Sequence, residues 1–353
     1  MIKKILLSII IIITVSITIL YLLGRSDEIP CDLKPIKHAD KEGKRIIKVA
    51  AVQMILTPGQ FQENLEHATR LINQAAGEGA ELILLPELMA TGYILSSELW
   101  DSAEPKNGPS VKWLKSNSKR LGVWLGAGFL EAEGEDFYNT FVLIGPDGNE
   151  AGRVWKQRPS IAECPYFKGR SSPHVIDTEI GRIGVGICYE NNLAFIPDLM
   201  HKQSADLLLM PIASAMSPAK TKVANIMRDM VLYWPRLMAE TLGIPIVQAN
   251  HCGRGRQYDE GIFYFPGFSA IIDSDGKIKK QMGINEGIIV TSVTLDPSRK
   301  KVSLVYSSSY KYWPIDRSWF LRRMFYIMEG LFRIRYRLSS ERKAKALEIS
   351  SSQ

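Results

Sequence analysis

The stretch Arg182-Ile-Gly-Val-Gly-Ile-Cys188-Tyr-Glu-Asn-Asn192 passes directly from apolar into polar residues. A short apolar run that ends in polar residues predicts a buried strand followed by a turn. Cys188 stands at that junction, where a side chain becomes reachable for a small molecule. The stretch therefore predicts a thiol that is presented at the end of a strand.

Two earlier apolar segments also end in a reactive group. Residues 80–86 lead to Glu87, and residues 152–155 lead to Lys156. A thiol attacks as its thiolate, so a base must take its proton; Glu87 could do so, while Lys156 would favour the thiolate and stabilise an oxyanion. Alone, Cys188 could be a small buried residue and Lys156 part of a solvated basic face. Together the three residues predict a nucleophilic site.

These segments resemble the nitrilase, or carbon-nitrogen hydrolase, superfamily, whose sites use a Glu-Lys-Cys triad. The resemblance covers roughly residues 46–298, and its motifs occur in the family's order. The matching segments are Lys48-Val-Ala-Ala-Val-Gln-Met54, Leu85-Pro-Glu-Leu-Met-Ala-Thr-Gly-Tyr93, Gly152-Arg-Val-Trp-Lys156, Gly184-Val-Gly-Ile-Cys-Tyr-Glu190, Ala205-Asp-Leu-Leu-Leu-Met-Pro211 and Gly267-Phe-Ser-Ala-Ile-Ile-Asp-Ser-Asp-Gly276.

The resemblance implies that Glu87, Lys156 and Cys188 are catalytic, and that Glu163 is the second glutamate that many members carry after the lysine. The wording around Glu163 departs from the commonest family pattern. The implied activity is hydrolysis of a non-peptide carbon-nitrogen bond, in the first place a linear amide, through a cysteine thioester and without a cofactor. Substrate-binding candidates that flank these motifs are Tyr93, Tyr189 and Asn191.

Other functions stay open beside amide hydrolysis. The wording Cys188-Tyr-Glu190 also resembles apolipoprotein N-acyltransferases, which pass the acyl group to an amine, although those enzymes carry a membrane domain of several helices. An inactive scaffold that keeps the fold is a third possibility. The histidines show no metal-ligand spacing and no phosphate-binding loop is present, so we expect neither a metal nor a nucleotide site. The five histidines are His38, His67, His174, His201 and His251.

Residues 5–23 form an apolar stretch whose polar members are only Ser and Thr. About 20 apolar residues span a bilayer, and no clear cleavage site follows, so a retained anchor is favoured over a cleaved signal peptide. Lys3 and Lys4 precede the stretch and favour a cytoplasmic N-terminus. We therefore expect a single-pass membrane protein whose catalytic domain is extracytoplasmic.

Residues 319–338 predict a basic amphipathic helix with a large apolar face. Arg322, Glu329, Arg333 and Arg337 share its polar face. Such a helix suits an anionic lipid surface, but its apolar face could equally pack on the catalytic domain or on a second subunit. Most of the net charge of +7 lies after Arg299, so the charge describes this tail. No motif supports a nucleic-acid partner.

The pattern predicts a membrane anchor (residues 1–24), a tether (25–45), one hydrolase domain (46–298) and a basic extension (299–353). Helical spacing is clear over residues 62–76, and apolar strand-like runs alternate with helical segments, which predicts an α/β fold. The family resemblance implies a four-layer α-β-β-α sandwich that assembles into homo-oligomers, with a small-molecule or lipid-like amide as substrate. The strand-like runs are residues 47–53, 82–85, 123–127, 141–144, 183–187, 207–210 and 244–248.

Overall fold

A computed structural model describes residues 43–215, 222–257, 261–300 and 319–352, together with residues 11, 14–16 and 18. Most of the predicted anchor and nearly all of the predicted tether lie outside the described residues. Within the described part, no helix combines the length and apolarity that crossing a bilayer would require.

Two sheets form the body of the protein, which confirms the predicted α/β fold. The strands are β1 (Arg45–Ile55), β2 (Leu82–Leu84), β3 (Trp124–Glu133), β4 (Asp136–Ile144), β5 (Glu150–Trp155), β6 (Val175–Thr178), β7 (Gly181–Val185), β8 (Leu207–Ile212), β9 (Ile246–Gln257), β10 (Gly261–Pro266), β11 (Ala270–Ile272), β12 (Ile278–Gln281) and β13 (Gly287–Leu295).

The first sheet has the strand order β5-β4-β3-β2-β1-β13, and the second has the order β6-β7-β8-β9-β11-β12. The strands β1, β2 and β3 are parallel to one another, as are β7, β8 and β9, whereas the outer strands are antiparallel. The long strand β9 joins the two sheets, because its second half pairs with the end of β1 and with β10.

The helices of the described residues are α1 (Phe61–Gly77), α2 (Pro109–Leu121), α3 (Phe195–Lys202), α4 (Lys222–Leu242), α5 (Trp319–Leu338) and α6 (Ser340–Ser350). Four of them cover the outer faces of the two sheets, α1 and α2 on the first and α3 and α4 on the second, and the other two form the C-terminal extension. The helical spacing predicted for residues 62–76 is confirmed by α1, whose Leu65, Ala68, Leu71, Ile72 and Ala75 are all buried.

Three apolar cores explain this layering. Alternate residues of β1 point to opposite faces, yet Val49 and Ala50 are both fully buried. Val49 belongs to the core between the two sheets. Ala50 packs with α1 and α2 on the outside of the first sheet. The third core joins α3 and α4 to the outside of the second sheet. Strands that are buried on both faces account for the near-continuous apolar runs in the sequence.

The C-terminal extension forms α5 and α6, and its contacts differ from the sequence prediction. In α5 the only buried side chain in the described part of the helix is that of Tyr336; Phe325, Phe332 and Ile334 are half-buried, and most of the large apolar residues are exposed. The idea that the apolar face packs on the catalytic domain is therefore wrong. The exposed apolar residues of α5 are Leu321, Met324, Ile327, Met328, Leu331 and Leu338.

A buried carboxyl group lies at the start of α2. Glu104 accepts hydrogen bonds from the backbone nitrogen of Ser110 (2.6 Å) and from its hydroxyl (2.5 Å). Its own backbone pairs with Leu130 and Ala132 of β3, so the side chain has little freedom to leave. Burial raises the pKa of Glu104 to about 7 despite these two hydrogen bonds.

We predict that Glu104 makes stability depend on pH. Because the pKa is higher in the folded state than in the unfolded chain, the fold binds the proton more tightly, and this contribution is lost as pH rises from about 4.5 to about 7. Denaturant unfolding of wild type and Glu104→Gln should show wild type losing up to about 3 kcal/mol relative to the variant over this range. A difference that stays constant with pH would contradict the prediction.

Candidate active site

Three strand ends deliver the residues that the sequence singled out. Glu87 follows β2, Lys156 directly follows β5, and Cys188 follows β7 as the first residue of a short 3-10 helix, Cys188–Asn192. Strands β2 and β5 lie in the first sheet and β7 lies in the second. The site therefore spans the two sheets at one end of the inter-sheet core.

Lys156 is the centre of the site. Its Nζ donates to Oε1 of Glu87 at 2.7 Å and to Oε1 of Glu163 at 2.8 Å. The side chains of all three residues are completely buried. Buried charges are tolerated only when they are paired and hydrogen-bonded, so the ammonium and the two carboxylates depend on one another. Glu163, around which the sequence departs from the commonest family pattern, directly contacts Lys156.

Glu87 is held by two further residues that the sequence analysis did not identify as partners. Asn139 of β4 donates its Nδ2 to Oε1 at 2.7 Å. The ring of His251 lies with Nε2 2.6 Å from the backbone oxygen of Glu87. Burial lowers the pKa of His251 to about 4, so the ring is neutral and its N–H donates. A sequence signal for Asn139 existed, since an amide side chain is unfavourable inside an apolar strand.

The two oxygens of Glu87 have different environments. Oε1 accepts from both Lys156 and Asn139, whereas no N–H or O–H group in the described part of the chain donates to the buried Oε2. The carboxylate of Glu87 also acts electrostatically on the thiol of Cys188, whose pKa it raises. Glu87 therefore has an oxygen available for the proton of the thiol.

Glu163 is fixed from the other side. Tyr93 donates its hydroxyl to Oε1 at 2.8 Å, and the backbone nitrogen of Ser160 donates to Oε2 at 2.6 Å. Burial and the nearby carboxylate of Glu163 raise the pKa of Tyr93 well above its usual value, so the phenol stays protonated as a donor. Tyr93 thus lies at the site, where it positions Glu163.

The turn that carries Cys188 is strained. Cys188 has a φ of 51°, a conformation that costs a non-glycine residue free energy and is often found at functional sites. Asn191 stabilises the turn, because its Nδ2 donates to the backbone oxygens of Gly186 (2.8 Å) and Cys188 (3.0 Å). A side chain at Gly186 would collide with Asn191, since a Cβ there would lie 2.0 Å from Oδ1.

The three candidate substrate-binding residues therefore have different surroundings. Tyr93 contacts Glu163, and the amide nitrogen of Asn191 is engaged by the backbone of the turn. Tyr189 is half-buried and packs against the core beneath α3 and α4. The substrate-binding roles of these residues stay predictions.

Glu190 connects the cysteine turn to the lysine segment. Its Oε1 accepts from the backbone nitrogens of Gln157 (2.6 Å) and Arg158 (3.0 Å), and its Oε2 accepts from the backbone nitrogen of Ile187 (3.2 Å). The side chain is completely buried. One carboxylate thus sets the distance between the segments that carry Cys188 and Lys156.

The electrostatics of the site keep the resting thiol neutral. Burial raises the pKa of Cys188 well above its usual value, and the carboxylates of Glu87 and Glu163 raise it further, against the effect of Lys156. Burial also raises the pKa of Glu87. Burial alone would lower the pKa of Lys156, but Glu163 and Glu87 outweigh it and the pKa is raised. Lys156 is therefore a fixed cation that does not by itself produce a thiolate.

With this geometry established, comparison with known proteins identifies the family. A model of the family described as carbon-nitrogen hydrolase matches residues 48–300. The chain belongs to the carbon-nitrogen hydrolase family. The match includes Glu87, Lys156, Glu163 and Cys188, and it ends before α5 and α6.

Curated relatives of this carbon-nitrogen hydrolase include enzymes named as amidases and as a citrullinase. An N-carbamoylputrescine amidase from Solanum lycopersicum is 28% identical over 276 residues, which is 74% of this chain and 90% of the relative. A citrullinase from Francisella tularensis subsp. tularensis is 30% identical over 65% of this chain and 82% of the relative. An omega-amidase of Arabidopsis thaliana is 27% identical over 66% and 63%.

Solved structures show the same fold. A carbon-nitrogen hydrolase from Helicobacter pylori G27 superimposes with a TM-score of 0.65 at 20% identity, covering 72% of this chain and 91% of that one. An amidase from Nesterenkonia sp. gives a TM-score of 0.59 at 22% identity, with 71% and 91% covered. The nitrilase-type fold with two sheets is thereby confirmed.

Family and relatives together establish that the protein is an enzyme of the carbon-nitrogen hydrolase type. This finding disfavours the inactive scaffold that the sequence left open.

We predict that Glu190→Gln destabilises the protein. The amide keeps one acceptor oxygen but turns an NH2 group toward backbone N–H donors, and an unsatisfied buried donor costs about 1–3 kcal/mol. Denaturant unfolding of the variant should show a loss of this size. Asp177→Asn, which neutralises an exposed carboxylate on β6, is the control and should unfold like wild type. Equal stability of Glu190→Gln and wild type would contradict the structural role of the carboxylate.

Proposed function

We propose that the protein is an amidase that hydrolyses a linear amide through a thioester on Cys188. The observation that carries this proposal is the buried arrangement in which Lys156 bridges Glu87 and Glu163 while Glu87 interacts with the thiol. A nucleophile, a base with an available oxygen and a fixed cation are the groups that acyl transfer requires.

In the first half-reaction, the sulfur of Cys188 attacks the amide carbon while its proton moves to Glu87. A concerted transfer suits this site, because the raised pKa of the thiol disfavours a free thiolate before substrate binds. Negative charge develops on the carbonyl oxygen, and the ammonium of Lys156 stabilises it. Glu87 then gives the proton to the departing amine or ammonia, which leaves a thioester.

In the second half-reaction, Glu87 takes a proton from water, and the resulting hydroxide attacks the thioester carbon. The carbon-sulfur bond breaks, the sulfur takes up a proton, and the free acid leaves. The net reaction consumes one amide and one water and releases an acid and an amine or ammonia. Asn139 and His251 keep Glu87 in place through both steps, since one holds its carboxylate and the other its backbone.

Two sequence features suggested acyl transfer to an amine, and the structure gives one of them another explanation. The Cys188-Tyr-Glu190 wording suggested it, but the carboxylate of Glu190 is engaged by the backbone of the cysteine and lysine segments. This contact gives the glutamate a role that hydrolysis and transfer share. The remaining support is the predicted membrane anchor, and hydrolysis is therefore the function that we favour.

The decisive test measures both the product and the covalent intermediate. Purified full-length protein is incubated with a panel of linear amides, N-carbamoyl amines and ureido compounds, and ammonia release is measured. We expect acid-quenched samples to show an acyl adduct on Cys188 by mass spectrometry. Cys188→Ala should lose about a thousandfold or more of the activity and all of the adduct, because the nucleophile is removed.

Cys252→Ala is the matched control, because Cys252 is a buried free thiol outside the triad; it should retain activity and adduct. Undiminished ammonia release by Cys188→Ala would refute the proposed nucleophile. Added primary amine separates the two reactions: amide product that replaces the free acid at modest amine concentration would favour acyl transfer over hydrolysis.

We further propose that residues 5–23 hold the enzyme at a membrane as a single-pass anchor with the catalytic domain outside the cytoplasm. The apolar length of this stretch supports the proposal. The exposed apolar residues of α5 offer a second membrane contact, with the exposed Arg335 beside them suited to anionic lipid. A lipid-like amide would be accessible to an enzyme held in this way. Homo-oligomer formation stays a prediction.

We predict that full-length protein stays in the membrane fraction after alkaline carbonate washing and that a variant lacking residues 1–24 is released. Removal of the apolar stretch eliminates its burial in lipid, which is the dominant source of retention. Protease added to intact spheroplasts should degrade the catalytic domain if it is extracytoplasmic. Equal retention of both chains would show that the stretch is not the anchor, and protection from protease would reverse the orientation.

A further inference from the structure

His174 is a buried histidine beside the cysteine turn, and the reaction described above does not use it. It directly precedes β6, and its side chain is completely buried. Its φ of 59° lies in the left-handed region, which costs a non-glycine residue free energy. Its backbone oxygen accepts from the nitrogen of Val185 in β7 at 2.8 Å. A polar ring that is held in a strained, buried position depends on its contacts, so the partners of the ring are informative.

Both ring nitrogens of His174 face hydrogen-bond acceptors. Nδ1 lies 2.8 Å from the backbone oxygen of Ser172, and Nε2 lies 3.4 Å from Oε2 of Glu190. A carbonyl oxygen can only accept, so Nδ1 must carry a hydrogen. A neutral imidazole has a single N–H group, and in that form Nε2 would turn its lone pair toward the carboxylate.

Glu190 has the surroundings of an ionised carboxylate, because three backbone N–H groups donate to it and such donors favour the charged form. They belong to Gln157 (2.6 Å), Arg158 (3.0 Å) and Ile187 (3.2 Å). A buried charge also requires a counterion. Among the described residues, His174 is the one ionisable side chain that hydrogen-bonds to this carboxylate. A ring with hydrogens on both nitrogens satisfies the two acceptors and supplies the missing charge.

We propose that His174 is an imidazolium ion that positions Cys188 through Glu190. The oxygen of Glu190 that faces the ring, Oε2, also accepts from the backbone nitrogen of Ile187, the residue directly before Cys188. The other oxygen holds the segment that follows Lys156. Loss of the ring proton at higher pH would place a lone pair against Oε2 and weaken its hold on the cysteine turn. His174 is thus a positioning residue that does not touch the reacting atoms.

The other element packed against the ring contributes no competing charge. Phe195 of α3 makes an edge contact with the ring of His174, at 5.8 Å between the centroids. The acid in the first turn of α3, Asp198, is paired with Lys202 at 2.7 Å. In the part of the chain that the structure describes, Glu190 is therefore the charged side chain that pairs with the ring.

The charge of the ring is tested by nuclear magnetic resonance on full-length protein in detergent, labelled with nitrogen-15 in its histidines. The signals of His174 are assigned by their absence from His174→Gln. We expect both ring nitrogens to carry a hydrogen at neutral pH. A neutral ring with its hydrogen on Nδ1 alone would overturn the proposal. This measurement needs no turnover, so its result holds even if the proposed amidase activity is refuted.

The positioning role is tested by kcat and KM as functions of pH, and this arm rests on the proposed amidase activity. His174→Gln keeps a donor for Glu190 but cannot titrate, whereas His174→Leu removes the donor. We expect His174→Leu to lower kcat about tenfold or more with little change in KM, because a misplaced nucleophile slows the chemical step. His174→Gln should retain most of the activity at neutral pH, and wild-type kcat should fall relative to this variant as pH rises.

His67→Gln is the matched control, because His67 forms another histidine–glutamate pair, with Glu286 at 2.7 Å, that does not hydrogen-bond to the cysteine or lysine segments. Its pH profile should match that of wild type. Circular dichroism checks that each variant is folded, and the comparison of His174→Gln with wild type decides the matter if His174→Leu does not fold. Identical pH profiles of wild type and His174→Gln, or full activity of His174→Leu, would contradict the positioning role.

Discussion

The contact on which the site depends is the ammonium of Lys156 between the carboxylates of Glu87 and Glu163. Removing the ammonium would leave two buried carboxylates without a counterion, which typically costs several kcal/mol. The surrounding residues hold the two carboxylates in position beside the ammonium. Asn139, His251, Tyr93 and the backbone of Ser160 each hold one of the two glutamates. These groups come from both sheets, so the geometry of the site depends on how the two sheets pack together.

The same contact explains why the nucleophile is a neutral thiol at rest. Two carboxylates and one ammonium leave net negative charge near Cys188, and burial adds to the cost of a thiolate. Because the ammonium of Lys156 does not outweigh these effects on the thiol pKa, a base with an available oxygen is needed to accept the thiol proton. The strained turn at Cys188 and the carboxylate of Glu190 both fix the position of the sulfur relative to the lysine segment.

Much of this could be predicted from the sequence, because the relevant signals are local. Apolar runs that break at Glu87, Lys156 and Cys188 predicted three strand ends, and the structure places each residue at such an end. The partners could not be predicted in the same way. Asn139 and His251 meet Glu87 only through strand pairing over long separations. The sequence analysis interpreted Glu190 as part of the Cys188-Tyr-Glu190 motif. Its structural role instead comes from backbone N–H groups that donate to it, and a sequence pattern does not show these contacts.

The C-terminal extension shows what could not be predicted from the sequence. Amphipathic spacing predicted the helix now seen as α5 but could not tell which face meets the domain, because the choice depends on the partner surface. That surface offers Asp136 and the backbone of Phe137 to the hydroxyl of Tyr336, so this residue is turned inward, while six large apolar residues of α5 are exposed. An argument from hydrophobicity alone would have chosen the reverse.

The packing of α6 has a consequence for how the site responds to mutation. Ala346 and Ile349 pack in the same apolar cluster as Tyr93 and Phe167, and Tyr93 donates its hydroxyl to Glu163. Closely packed interiors transmit a change of side-chain volume to their neighbours. A larger residue at Ala346 would therefore disturb Tyr93 and, through it, the carboxylate that holds the lysine, although α6 contributes no catalytic group.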